Sequence, residues 1–252
     1  MRALSPWFFA ISCCLATAFG VCTPALAQDG LRPDSTALDA QINRAFQLRV
    51  SAPDSAMMLA KQAAGWATDA HNLAALSRSL SLQGVLLKNR GAYAEALARY
   101  EEALEYAREA GDSVRLAKIY SNMGVVHKRS GDLELALQHT LQAVSILEHK
   151  DEPKVLVPFY TNLAALYAIL GYPSKAMAYY EKCLRQQEAL GDAAGQVITT
   201  FNMGVTYLEA GNLSKASELF AQNLALAQVL NDLAAQARVF NSLGALRIQQ
   251  QR

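Results

Sequence analysis

Aromatic residues make up only 8% of the 252 residues, and Pro and Gly number seven and fourteen. So little Pro and Gly excludes a collagen-like or low-complexity chain. Charge of one sign is also missing, since 23 Lys and Arg stand against 22 Asp and Glu. A general nucleic-acid binder needs a basic excess to displace phosphate counterions, so no nucleic-acid partner is expected. Catalytic signatures are absent beyond residue 27: there is no G-x-S-x-G, no G-x-x-x-x-G-K-[ST], no H-E-x-x-H and no C-x-x-C. His71, His127, His139 and His149 are scattered, without acidic or Cys partners at ligand spacing. They read as solvated or half-buried structural residues, and no metal, cofactor or enzymatic activity is expected.

Cysteine is scarce once the first stretch is set apart. Met1-Arg2 is followed by small and apolar residues from Trp7 to Cys22, then by Pro24-Ala25-Leu26-Ala27. One basic residue, an apolar core and an Ala-x-Ala site describe a secretory signal peptide over 1–27, cut before Gln28. The rival is an uncleaved anchor, but Ser12, Thr17 and Gly20 interrupt the run. It also falls short of the roughly 20 residues that a span requires. Lipidation at Cys13 or Cys22 would want Leu three residues earlier, where Ala10 and Phe19 stand. Removing the leader leaves Cys183 alone, so no intramolecular disulfide forms even in a compartment that permits one. Cys183 then reads as a small buried packing residue.

What is present is a repeat with a period of 40. Gly84, Gly124, Gly204 and Gly244 share one phase, with Ala164 in the remaining place. Seven residues on come Gly91, Gly131, Gly171 and Gly211, and five more bring Ala96, Ala136, Ala176 and Ala216. Tyr100, Tyr180 and Phe220 follow, with Thr140 as the exception; then Ala103, Ala143 and Cys183, with Asn223 as the odd one. A small residue at the first slot lets two helices approach closely, and the large residue fills the gap that it leaves. Gly at the second slot ends a helix in a left-handed conformation without steric cost. The Ala slots, seven apart, share one face of the second helix.

Gly111-Asp112, Asp151-Glu152-Pro153, Gly191-Asp192 and Asn231-Asp232 mark the breaks between units. Asp at a helix start caps free backbone N–H groups and complements the helix dipole. The expected layout is a leader at 1–27, a linker at 28–35 and helical hairpins over 36–252. The units run 36–72 (divergent), 73–112, 113–152, 153–192 and 193–232, with a half unit at 233–252. Pro158 is expected to shorten the start of its helix and to bend the array there.

These slots, with Asn122-Met123-Gly124, Asn162-Leu163-Ala164…Tyr167 and Asn202-Met203-Gly204…Tyr207, resemble the tetratricopeptide repeat (TPR). The period of 40 exceeds the usual 34, and the usual Pro near the end of the second helix is missing from most units. The resemblance implies an all-α fold, a right-handed superhelical solenoid of antiparallel helix hairpins. First helices would line the concave side and second helices the convex side. It also implies a protein or peptide segment as partner, held in the concave groove. In related superhelices the Asn matching Asn122, Asn162 and Asn202 holds the peptide backbone. An amide suits this because it both donates and accepts. The alternative is that these Asn bond neighbouring helices, since buried polar groups need partners in either case.

Charges are uneven along the first helices. Arg78, Lys88, Lys118, Lys128 and Arg129 lie in the earlier units, and Ile169, Ile198, Phe201, Val205 and Leu208 in the later ones. Facing the groove, the basic set, Lys88 and Lys128 among it, would suit an acidic segment; otherwise these side chains rim the solvated helix edge. Phe201 belongs to the groove or to packing between repeats.

A solenoid needs a polar terminal face. This sequence stops after a first helix carrying Phe240, Leu243, Leu246 and Ile248. Three explanations fit: a fragment of a longer protein, a homodimer through the open face, or a frayed end. The fragment is preferred. Exported proteins with such repeats resemble the sensory front of bacterial membrane regulators, so a membrane-anchored continuation would follow the repeats. The expected function is that of an exported, non-enzymatic scaffold, most naturally in a bacterial periplasm. A self-associating structural protein is the alternative.

Overall fold

The computed structural model describes residues 34–148 and 153–251. The expected leader, most of the linker and the break at Asp151-Glu152 lie outside the described residues. Eleven helices are present among the described residues: α1 (Ser35–Leu48), α2 (Pro53–Asp69), α3 (Leu73–Asn89), α4 (Tyr93–Glu109), α5 (Ser113–Ser130), α6 (Leu133–Glu148), α7 (Pro153–Ile169), α8 (Pro173–Ala189), α9 (Ala193–Glu209), α10 (Leu213–Val229) and α11 (Leu233–Gln250). Each packs on its neighbour in sequence, and the fold is the all-α solenoid of helix hairpins. The backbones of successive odd-numbered helices also approach one another, whereas those of successive even-numbered helices do not, and α6 and α8 meet through the Glu148–Lys182 ion pair at 3.3 Å. The odd helices therefore line the inner side of the curve and the even helices its outer side.

Local signals place the helix ends. Gly91, Gly131, Gly171 and Gly211, at φ +77° to +89°, stand between the two helices of a hairpin. Gly111 and Gly191 take the left-handed conformation between hairpins. His71 and Asn231 occupy that same inter-hairpin place at φ 51° and 53°, where L side chains are rarely found. Each inter-hairpin turn among the described residues is followed by a capping side chain. Asp112 Oδ1 accepts from Arg115 N at 2.8 Å, Asp192 Oδ1 from Gly195 N at 2.9 Å, and Asp232 Oδ1 from Ala235 N at 2.9 Å. Asn72 makes the same bond to Ala75 N at 3.0 Å. Such caps satisfy N–H groups that have no partner inside the helix and contribute about 1 kcal/mol each.

Packing inside a hairpin rests on the small and large slots meeting each other. A Cβ added at Gly84 would lie 2.6 Å from Tyr100 Cε1, and one at Gly204 2.7 Å from Phe220 Cε1. Tyr100, Tyr180 and Phe220 are almost fully buried. Where Thr140 replaces the aromatic residue, its Oγ1 donates to Ala136 O at 2.7 Å and still crowds Gly124. The polar exception at the last Ala slot is also explained, because Asn223 Nδ2 donates to Thr200 Oγ1 at 2.7 Å and reaches Val197 O. Cys183, in the same slot, is buried against Thr161 Oγ1 and Val157 O. Burial pushes its thiol pKa up, as expected of an inert packing residue.

Pro158 does not act as expected. Helix α7 begins at Pro153 and runs through Pro158. At that depth one i→i−4 bond is lost, beside N–H groups that are unpaired at any helix start. Packing holds the turn: Leu156, Phe159, Tyr160 and Leu163 are buried in one cluster. Helix α11 packs on α10 and touches α9, but nothing lies within 4 Å of a Cβ added at Gly244.

Two Gly in one sequence slot are thus expected to respond oppositely to substitution. Gly204→Ala should cost about 1–3 kcal/mol by overpacking against Phe220. Gly244→Ala should stabilise by about 0.4–1 kcal/mol through the unfolded chain. Urea unfolding of the two variants measures both, and shifts of the same sign would refute the packing account.

Candidate peptide-binding groove

A groove of about 620 Å³ opens on the inner side and is lined only by odd helices, α1, α3, α5 and α7. The spacing explains its composition. Arg78, Ser81, Leu82 and Val85 stand at i, i+3, i+4 and i+7 on α3, so they share one face. Lys118, Ser121 and Asn122 repeat the first three of these places on α5, and Arg115 lies about one turn before them. The period of 40 then aligns Arg78 with Lys118, Ser81 with Ser121, and Leu82 with Asn122. Ile42, Asn43 and Phe46 of α1 close one end, and Val155, Pro158 and Phe159 of α7 the other. Phe46 is 50% exposed, with the Arg49 guanidinium 3.9 Å from its ring centroid.

The cations in this groove differ in their surroundings. Arg78 pairs with Asp39 and also donates to Asn43 Oδ1 at 3.3 Å. Arg115 and Lys118 make no ion pair among the described residues. Arg115 Nε is buried without a hydrogen-bond partner. Burial lowers the Arg115 pKa; the Asp112 carboxylate offsets this in part and the Arg78 charge adds to it. The guanidinium stays charged in any case.

The residues singled out from sequence part company here. Asn122 lines the groove, and Lys88 Nζ reaches its Oδ1 at 3.5 Å, at the limit of a hydrogen bond. Asn162 Nδ2 donates to Ser121 Oγ at 3.1 Å, so it ties α7 to α5 beside the groove. Asn202 is half-buried, and its side chain makes no hydrogen bond among the described residues. Lys88 and Lys128 are half-buried near the ends of α3 and α5, outside the groove lining. Burial, then the nearby Arg129 charge, lowers both lysine pKa values. Phe201 packs against Phe220, ring centroids 5.9 Å apart, and the Arg238 guanidinium of α11 lies 5.9 Å from the Phe201 ring centroid. Phe201 thus packs within its own hairpin and also meets the next repeat through Arg238.

Arg115, Phe46 and Phe159 were not singled out from sequence, yet all three line the groove. A helical signal for Arg115 was available, because it precedes Asn122 by seven residues and so shares its face. Phe46 and Phe159 come from flanking helices, and only the fold brings them to the same opening. The lining offers donors, cations and apolar surface, a chemistry of holding. Among the described residues no three His, Cys, Asp or Glu gather as a metal site.

A family model for the tetratricopeptide repeat matches residues 73–149 and 157–228. The chain belongs to the tetratricopeptide repeat family. Several TPR-type solved structures share its fold. BtubC (BKLC) from P. vanneervenii is 24% identical, with 85% of this chain and 84% of that one covered at a TM-score of 0.67. The STAND protein PH0952 from Pyrococcus horikoshii, described with a tetratricopeptide repeat sensor, is 15% identical at a TM-score of 0.73. That match covers 81% of this chain but only 31% of PH0952. YrrB, described as a TPR protein with an unusual peptide-binding site, is 18% identical, with 81% and 90% covered at a TM-score of 0.53. No curated protein matches. No helix among the described residues of this TPR protein is long and apolar enough to cross a membrane.

Proposed function

We propose that this TPR protein is an exported, non-enzymatic scaffold that binds a peptide or protein segment in the inner groove, serving as the sensory input region of a bacterial signalling protein. The observation that carries this is the groove itself. Its size falls in the range of roughly 300–1,000 Å³ common for ligand pockets, and it combines apolar surface with a few placed polar groups. Asn122 and Ser121 supply the amide and hydroxyl suited to a peptide backbone, each such bond adding about 0.5–1.5 kcal/mol net. PH0952, described with a tetratricopeptide repeat sensor, and YrrB, described as a TPR protein with an unusual peptide-binding site, support the same reading.

Ser121→Trp would fill the groove at its middle. Probing one peptide array with the full chain and with this variant should show binders lost in the variant while helicity and Tm hold. An unchanged binding profile removes the groove from the function. Export to a periplasm with cleavage after Ala27 predicts a mature protein that begins at Gln28. Mass spectrometry of the chain expressed in a bacterium with its leader tests this, and recovery of residues 1–27 on the mature protein would refute it.

A second reading, self-association, rests on α11. Phe240 is 56% and Ile248 59% exposed, and the Gly244 socket between them is open. In the preceding unit the matching Thr200, Gly204 and Leu208 face α10 or its cluster. A second copy covering this face would dissociate in Phe240→Asp. Light scattering over a concentration series should show a dimer that the variant loses; a monomer throughout sinks this reading.

A further inference from the structure

Helix α11 presents one apolar stripe to solvent. Leu233, Ala237, Phe240, Gly244 and Ile248 follow helical spacing, and all five are exposed. A contiguous exposed stripe marks an interaction surface, which scattered apolar residues do not. The charged residues of α11 are Arg238 and Arg247, both exposed, and it has no acidic one. A symmetric pair of α11 helices would gather four arginines and no carboxylate in one interface, and like charges brought together oppose docking. The stripe therefore fits an apolar surface with acidic surroundings better than it fits itself.

The outer layer of the same chain offers such a surface. Its five even helices carry seven basic and twelve acidic residues. The period of 40 puts the outward positions of α4, α6 and α8 in register. Where α4 and α8 have Glu101 and Glu181, α6 has Leu141, and where they have Glu95 and Lys175, it has Leu135; all six are exposed. Helix α6 is thus an apolar strip in a charged layer. At its seam with α8 lies an open cavity of about 400 Å³, to which Leu141, Val144 and Tyr179 give apolar lining. Glu148 at the rim is already held by Lys182 at 3.3 Å. On α4 stand Glu101, Glu105 and Glu109, one turn apart, exposed and without an ion pair among the described residues.

Resting on the self-association reading above, we infer that the occupant of this outer surface is α11 of a second copy: Phe240 seats in the cavity between α6 and α8, and Arg247 turns towards the glutamates of α4. The two surfaces lie on different parts of the chain, so the contact is heterologous. Each copy in a pair then keeps one surface unused, α11 in one and the α6 strip in the other. Assembly therefore continues past two copies, into a ring or an open chain, whereas a symmetric contact stops at a dimer.

Light scattering of the full chain over a concentration series tests this. The wild-type mass should rise past that of a dimer. Phe240→Asp spoils α11 and Leu141→Asp spoils the α6 strip, so each variant alone should stay monomeric where the wild type associates. An equimolar mixture of the two should form a heterodimer and stop there, because one intact α11 meets one intact strip. Glu101→Lys/Glu105→Lys should weaken association by about tenfold at low salt. Both positions are exposed, so this variant keeps the test decisive if Leu141→Asp fails to fold. A wild-type dimer that Leu141→Asp leaves intact means a symmetric α11 contact; the self-association reading then stands and this inference falls. Unchanged association in Glu101→Lys/Glu105→Lys, or a mixture that stays monomeric, also overturns it. A wild type that is monomeric throughout ends both.

Discussion

The contact on which the solenoid depends is the meeting of a small residue on one helix with a large ring on the next. Gly84 against Tyr100 and Gly204 against Phe220 bring two helix backbones close enough that a single added carbon would collide with the ring. Burying one such ring removes most of its apolar surface from water, which contributes about 1.5–3 kcal/mol. No unit has a core of its own beyond this. The clusters of buried side chains run across neighbouring helices, and each hairpin completes its burial on the next. A contact repeated every 40 residues therefore fixes both the pairing of helices and the stacking of pairs.

Much of this could be read in the sequence because each slot has a local physical cause. The left-handed Gly at 91, 131, 171 and 211 follows from the steric cost borne by any other residue. The socket at Gly84 and the plug at Tyr100 are sixteen residues apart and recur in phase, so sequence shows both halves of the contact. Pro158 was misread for the opposite reason. Its local rule favours a helix start, but burial of Phe159 and Tyr160 carries α7 through it. His71 also hides its role, since a left-handed turn is not something that its side chain advertises.

The groove was less legible than the fold. Asn122, Asn162 and Asn202 look equivalent by spacing, but equivalence of position is not equivalence of surroundings. Asn162 meets Ser121 across the seam, whereas Asn122 meets the tip of Lys88. For Asn202 the position that matches Ser121 holds Thr161; for Asn122 it holds Ser again, at 81, and the partner is Lys88 instead. A division of charge between the layers, ten basic and two acidic residues on the odd helices against seven and twelve on the even ones, was visible in principle. It disappears in the net charge because α4 alone carries five acidic residues on the outer layer.

The seams between odd helices have a mechanical consequence. Even helices make no close backbone approach to one another, and the ion pair that joins two of them, Lys182 of α8 with Glu148 of α6 at 3.3 Å, is exposed and so a weak restraint when the ribbon straightens. Curvature is held mainly from the inside, and the polar links that cross those seams among the described residues are Arg78 with Asp39 and Asn43, Lys88 with Asn122, and Asn162 with Ser121. Each of these links includes a residue that lines the groove. A ligand that takes the hydrogen bonds of Ser121 or Asn122 therefore competes for the same bonds that act as springs of the coil. A change at either side chain therefore alters a contact between repeats as well as the lining of the groove.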